Sequence, residues 1–399
     1  MKKNQRKSAA KLAFRFVVII GIANLFADLT YEGARSITGP FLGSLGASAT
    51  VIGFVVGFGE FLGYSLRSIS GFFADKTHKY WVVAIVGYFI NLLAVPALAL
   101  AGNWPLAAAL IITERTGRAI RKPSVEAMIS YAGKEIGHGW VFGLNEALDQ
   151  SGATVGPLIV ALVLYLKGGY RYGFAVLLLS ALLCLGTLVI ARLLFPSPHE
   201  MEEKSAKSLS TKGFPKAYWL YLAGESFIAA GFADFSLIAF HFQKTARVSQ
   251  NVIPVFYSVA MAVGAIGSLV FGRLLDRIGS ATLIVAFLLS ASFAPFVFLG
   301  GAGVALIGMM LWGLGMGAQD SLLKAVLTSV VSAAKRSTAF GVFDTGFGIA
   351  WFIGSAMLGF LYDRSIPGLV ILSVVLQLLA VPMFLWARGQ SQRATARTP

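Results

Sequence analysis

The sequence is short of charge. Asp, Glu, Lys and Arg make up 13% of its 399 residues, against about 25% in an ordinary soluble domain. That shortage excludes a large water-soluble helical protein, whose helices would need polar outer faces. Cysteine is all but absent: Cys184 stands alone, inside an apolar run. A disulfide framework and a Cys-based metal site are therefore excluded. The histidines (His78, His138, His199 and His241) fall at loops or at the ends of apolar runs. No two share the His-x-x-x-His spacing of a helical metal site. Nor is there a G-x-x-x-x-G-K-[ST] segment to cradle the phosphates of ATP. We expect no catalytic residues, no metal, no cofactor and no ATP-driven step.

Long apolar runs are what the chain has instead. Hydrophobic residues make up 57% of it, and stretches of the ~20 residues needed to cross a bilayer recur from end to end. We place spans at 12–45, 49–74, 80–101, 104–132, 138–166, 171–195, 216–243, 250–275, 279–299, 302–332, 336–362 and 366–387. Lys2, Lys3, Arg6, Lys7 and Lys11, followed by Val17 to Ile20, imitate a secretory signal. The spans beyond make an uncleaved first helix the expectation. The net charge of +15 is explained by placement. With both termini in the cytoplasm, Lys76, Lys79, Lys134, Lys204, Lys207, Lys212, Arg277 and the basic residues of both termini crowd that side. The other side keeps Lys167, Arg171, Lys244, Arg247 and Arg364. This is the positive-inside bias, so the basic excess sets topology in a bacterial inner membrane and implies no nucleic acid partner.

The longest polar stretch, Pro196 to Lys216, divides the chain. We expect an N-terminal half at 1–195, a cytoplasmic linker at 196–215, a C-terminal half at 216–388 and a basic cytoplasmic tail at 389–399. The halves resemble one another. With Gly117 set on Gly315, Ala127 meets Ala325, Phe142 meets Phe340, Gly156 meets Gly354 and Glu146 meets Asp344. Phe26-Ala27-Asp28 is echoed by Phe232-Ala233-Asp234. Parallel repeats about an axis along the membrane normal are a known transporter plan, with the binding site near the midplane.

Two short motifs make the resemblance specific. Gly71, Asp75, Lys76 and Lys79 follow the second span, and Gly272, Asp276, Arg277 and Gly279 follow the eighth. Both are similar to the G-x-x-x-D-R/K-x-G-R/K-R/K signature of the major facilitator superfamily, with His78 standing where the first copy would have glycine. The resemblance covers nearly the whole chain and implies an all-α membrane protein of twelve transmembrane helices in two pseudo-symmetric six-helix bundles. Gly152, Gly156 and Pro157 in the fifth span resemble the G-x-x-x-G-P motif of the superfamily's proton-driven drug exporters, although Val160 and Ala161 replace the glycine pair that commonly follows. The fourth span, with Glu114, Arg115, Gly117, Arg118, Arg121, Lys122 and Pro123, looks like a bacterial subgroup with an Arg-rich fourth helix.

Charges within spans are costly and mark ion or substrate pathways. Asn24, Asp28, Glu32 and Arg35 recur at helical spacing and form one polar stripe. The family fold implies that it faces Arg115, Arg118 and Arg121, or Lys122, on the fourth helix. We expect Asn24, Asp28, Glu32, Arg35, Arg115, Arg118, Asp234, Asp320 and Lys324 to line a cavity. A structural ion-pair network is the alternative for each. Asp320 and Lys324, four apart, should pair. Asp234 and Asp344 have no evident counter-charge in their own half. With Asp28 and with Asp149, which shares a face with Gly152 and Gly156, they are the candidates for proton coupling. His241 reads as incidental at the outer end of the seventh span. Asp75 is expected at the N-terminus of the eleventh span, near Ser337 and Thr338, and Asp276 at that of the fifth.

The function expected is alternating-access transport by a monomer, with proton-coupled export of a small organic compound as the first reading. Proton-coupled uptake of an anionic metabolite or metal chelate is the alternative, since an Arg fork suits carboxylate or phosphate. A receptor or intramembrane enzyme on the same scaffold is the reading from another class. No soluble relay domain and no catalytic constellation favour it.

Overall fold

The structure, a computed structural model, describes residues 2–196, 214–279, 281–331 and 336–395. The side chains of Asp276, Asp320, Lys324, Ser337 and Thr338 and nearly all of the expected linker fall outside the described residues. What is described is helical, with no strand among these residues. The chain forms α1 (Lys2–Ser44), α2 (Ala49–Thr77), α3 (Tyr80–Ala97), α4 (Trp104–Ile136), α5 (His138–Tyr165), α6 (Tyr170–Leu194), α7 (Lys216–Gly231) and α8 (Phe235–Thr245). It continues with α9 (Ile253–Ile278), α10 (Ala281–Ala291), α11 (Phe293–Leu299), α12 (Ala302–Val330), α13 (Arg336–Arg364) and α14 (Ile366–Thr395). Of these stretches, 11 are long and apolar enough to cross a membrane, α7 with α8 and α10 with α11 each counting as one. α4 supplies the twelfth pass. Its 33 residues are long enough, and only its charged residues keep it out of the apolar set.

Two expected spans are broken. The seventh, placed at 216–243, is interrupted at Phe232–Asp234, and the ninth is interrupted at Ser292. The seventh break leaves backbone groups without helical partners in a setting with no water to serve them, and side chains supply the bonds. Ser373 Oγ and Gln377 Nε2 on α14 donate to Gly231 O (2.6 and 3.3 Å), and Trp312 Nε1 on α12 donates to Ala233 O (2.9 Å). The Asp234 carboxylate caps α8, accepting from Ser236 N–H at 2.8 Å. Asp28 in the matching tripeptide lies inside the unbroken α1. The same three residues thus serve two backbones.

The chain folds into two compact units, 1–37 with 65–205, and 38–64 with 206–399. In the first, Phe16, Val17 and Ile20 of α1 pack with Trp81, Ala84 and Tyr88 of α3 and with Cys184 and Leu188 of α6. Thr30 and Ser180 hydroxyls meet at 2.7 Å, and Cys184 Sγ donates to Ala23 O. In the second, Tyr218, Tyr221 and Ile228 of α7 pack with Phe287 of α10, Leu322 of α12 and Phe384 of α14. One bond recurs in both units: Ser70 Oγ donates to Ala119 O at 2.9 Å, and Ser268 Oγ to Gly317 O at 3.0 Å. Setting Gly117 on Gly315 places Ala119 on Gly317, so the internal repeat extends to helix-to-helix bonding.

Gly152 and Gly156 seat α5 directly on the α1 backbone: a methyl at either would meet the carbonyl oxygen of Leu25 or of Leu29. Small residues that let helices touch are the usual packing device in lipid. His78, standing in place of the signature glycine, adopts φ 55, and Gly279 in the second copy adopts φ 64. Both turns need the left-handed backbone that glycine takes most easily, which is why the signature carries glycine there.

Gly156→Leu should lower the thermal midpoint of the purified protein, since overpacking of this kind costs about 1–3 kcal/mol. Gly143→Leu, at a position with open space around it, should leave the midpoint unchanged. Equal midpoints for both variants would refute the close α5–α1 contact.

Candidate functional site

The α1 stripe meets α4 as the sequence expects, and two tyrosines hold the meeting together. Tyr31, on α1 between Asp28 and Arg35, is buried. Its hydroxyl accepts from Arg35 Nη1 at 3.1 Å and, more closely, from Arg115 Nη1. The guanidinium of Arg118 lies over its ring at 4.0 Å and that of Arg115 at 4.7 Å. Three guanidiniums therefore converge on one phenol. Such groups are planar and weakly hydrated, so they stack on an aromatic face where an ammonium would stay with water. Glu32, beside Tyr31, is buried too, at 8% exposure.

Tyr88, on α3, does the same one turn along. Arg121 stacks over its ring at 4.4 Å and forms an ion pair with Asp28, Nη2 to Oδ1, at 3.7 Å. From Tyr88 a chain of side-chain bonds crosses to α5. The Tyr88 hydroxyl donates to Asn24 Oδ1, Asn24 Nδ2 donates to Asn145 Oδ1 at 2.7 Å, and Asn145 Nδ2 donates to Asp149 Oδ2 at 3.1 Å. The glycine seam between α5 and α1 makes that crossing short. At the other end of the cluster, Asn91 Nδ2 donates to Glu114 Oε1 at 2.7 Å. Glu114 Oε2 stands 3.4 Å from Arg115 Nε, close enough for an ion pair but not aligned as a hydrogen bond. Lys122 reaches Glu126 at 4.0 Å, near the surface.

The structure thus gathers Asn24, Asp28, Arg35, Arg115, Arg118 and Asp149 in the first unit. Asp234 and Asp344 belong to the second. Asp234 is buried and engaged as the α8 cap; Asp344 is half-buried on α13. Asp320 and Lys324, outside the described side chains, add nothing here. His241 lies inside the second unit and not at an open mouth. It is buried, and its Nδ1 lies 3.0 Å from the Tyr362 hydroxyl. Asp75 accepts from the Tyr80 hydroxyl at 3.0 Å, with Lys76 and Lys79 exposed beside it. Sequence reasoning passed over Tyr31, Tyr88, Asn91 and Asn145. The signal for two of them was available: Tyr31 sits three residues after Asp28 and four before Arg35, and Asn145 four before Asp149, all at helical spacing.

Comparison with known proteins agrees with this architecture. A model of the Major Facilitator Superfamily matches residues 20–355. An uncharacterized protein of Mycobacterium tuberculosis is 38% identical over 93% of this chain and 92% of its own. An uncharacterized MFS-type transporter of Methanocaldococcus jannaschii is 24% identical over 88% and 89%. Among solved structures, a bacterial homolog of the human lysosomal transporter Spinster, inward-facing and unoccupied, is similar with TM-score 0.73 at 13% identity, covering 96% of this chain and 98% of that one. The nucleoside transporter NupG is similar with TM-score 0.70 at 14% identity, covering 94% and 98%. At those identities the structural likeness speaks for the fold.

Arg121→Gln removes the ion-pair partner of Asp28 and leaves Arg118 and Lys122 as its remaining nearby cations, so it should cost about 1–3 kcal/mol in detergent-solubilised protein, less than a fully stranded buried charge. Adding Asp28→Asn should restore part of the loss. A double variant less stable than Arg121→Gln would show that the two groups do not answer each other.

Proposed function

Because the chain belongs to the major facilitator superfamily, and so is a multi-pass membrane transporter and not an enzyme, we propose that it exports a small organic compound in exchange for protons. The observation that carries this reading is the α5–α1 seam. Gly152 and Gly156, which resemble the exporter motif, bring α5 against α1 where the bond chain from Tyr88 through Asn24 and Asn145 ends at Asp149. Asp149 Oδ1 is buried with no hydrogen-bond partner among the described residues, the position a carried proton would occupy. Asp28, one helix away and paired with Arg121, is the second carrier. A proton on Asp28 would weaken that pair and release Arg121, which ties protonation to the helix contact that has to change. Asp234 and Asp344 are kept as carriers on the other half, with the helix cap made by Asp234 as the element that its protonation would loosen.

A second reading has its own support. The convergence of Arg35, Arg115 and Arg118 on Tyr31 suits a carboxylate or phosphate, whose paired oxygens match a guanidinium fork. It favours an anionic metabolite or metal chelate, taken up with protons. In either case the halves 1–195 and 216–388 alternate about a midplane site, in a bacterial plasma membrane with both termini cytoplasmic. One chain contains a full pathway.

Purified protein in liposomes, given an imposed pH gradient and a panel of lipophilic cations and organic anions, tests both readings. The first expects gradient-dependent movement of a non-anionic compound out of the face bearing the termini, lost in Asp149→Asn. The second expects anion accumulation, reduced about tenfold or more by Arg118→Ala because a charge-assisted contact contributes roughly 1.5–3 kcal/mol. Full gradient dependence in both Asp149→Asn and Asp28→Asn would overturn the proton assignment.

A further inference from the structure

We infer that Asp363 is a carboxylate latch that closes the end of the transporter bearing the α1–α2 turn. The first amides of any helix lack acceptors within it, and α2 begins at Ala49 immediately after that turn. Asp363, the last residue but one of α13, serves them. Its Oδ1 accepts from Ala49 N–H at 3.3 Å, and its Oδ2 accepts from Thr50 N–H at 2.8 Å and from the Thr50 hydroxyl at 2.7 Å. The N-terminal pole of α2 favours the negative charge as well.

The surroundings suit a contact built to part. Residues 38–64, the far portions of α1 and α2, fold with 206–399 and not with the rest of their own helices. They touch that body through glycine. Gly39 lies on the backbone of Ser236, Gly53 on that of Ser355, and Gly57 on that of Phe352. Phe54 and Phe58 lie against the Phe352 ring at 5.2 and 5.7 Å. The glycine surfaces give close backbone contact with few interlocking side chains, so separation needs repacking chiefly of the aromatic rings around Phe352. The polar hold comes from Asp363, whose chain neighbour Tyr362 meets His241 Nδ1 through its hydroxyl at 3.0 Å. When the segments part, water can take over the Thr50 and Ala49 amides, so the bond is reversible.

The chemistry reverses that of the signature on the opposite end. There, a carboxylate in the last turn of α2, Asp75, is expected at the start of the eleventh span. Here, a carboxylate near the end of α13 caps the start of α2. One helix pair would thus carry a carboxylate-to-amide clasp at each end, closed in alternation. The inference rests on the alternating-access reading but on neither substrate assignment.

Cysteine labelling in spheroplasts tests it. Ser355 is buried beneath Gly53 and Gly57, so Ser355→Cys reacts with a membrane-impermeant maleimide only when the α1–α2 end opens. The native Cys184, buried in the first unit, reports any general loosening. Adding Asp363→Asn should speed labelling at position 355 roughly fivefold or more, as loss of a charged helix cap implies, with Cys184 unchanged. Thr50→Val, which removes one of the three bonds, should give a smaller increase and serves if Asp363→Asn does not fold. Unchanged labelling at 355, or a parallel rise at Cys184, would overturn the latch. Transport loss without a change in labelling would likewise contradict the latch, whereas faster labelling at 355 in a protein that moves none of the tested compounds would support the latch and count against the substrate readings alone.

Discussion

A guanidinium or carboxylate placed among helices in lipid has no water to return to, so every one must be answered by another side chain. That requirement organises the first unit more than any apolar contact does. The arginines of α4 are spaced at three residues, which puts them on one face, and α1 offers both acids and an aromatic ring. Tyr31 lets three like charges approach one another because its electron-rich face and its oxygen each accept from a cation. Without such a mediator, repulsion would push these helices apart. Tyr88 performs the same service for Arg121, and its hydroxyl continues into an amide relay that ends on α5.

Backbone groups obey the same rule with different partners. α7 and α8 can be separate helices in the interior only because Ser373, Gln377, Trp312 and Asp234 take up the bonds that the break sets free. A break so fully provided for is a built feature, positioned about eleven residues from the end of α8, roughly half the thickness of the hydrocarbon core. The glycine seams work by the converse route, bringing intact backbones together where no side chain intervenes.

The sequence made the passes and the polar stripe visible, since length, hydropathy and helical spacing are local quantities. The expected meeting of Asp28 with the fourth-helix arginines follows from that spacing together with the family resemblance. What escaped was whatever depends on a distant neighbour. The interruption at Phe232–Asp234 falls on a tripeptide that α1 carries without a break, and its stabilising partners come from α12 and α14 as well as from Asp234 itself. Tyr31 looked like one more aromatic residue until three guanidiniums were found around it. His241 looked peripheral because its partner, Tyr362, is 121 residues away. Asp363 lies one residue past the expected eleventh span and drew no notice there; only the position of α2 gives it a task.

The stacked arrangement around Tyr31 and Tyr88 also restricts how this protein can diverge. Lysine carries the same charge as arginine but has no flat face to lay on a ring while its edge donates elsewhere. A drift from Arg to Lys at 115, 118 or 121 would therefore keep the electrostatic sum and lose the geometry. Descendants of this sequence can exchange Asp for Glu in the stripe with modest adjustment, but the aromatic–guanidinium pairs have to be inherited together or replaced together.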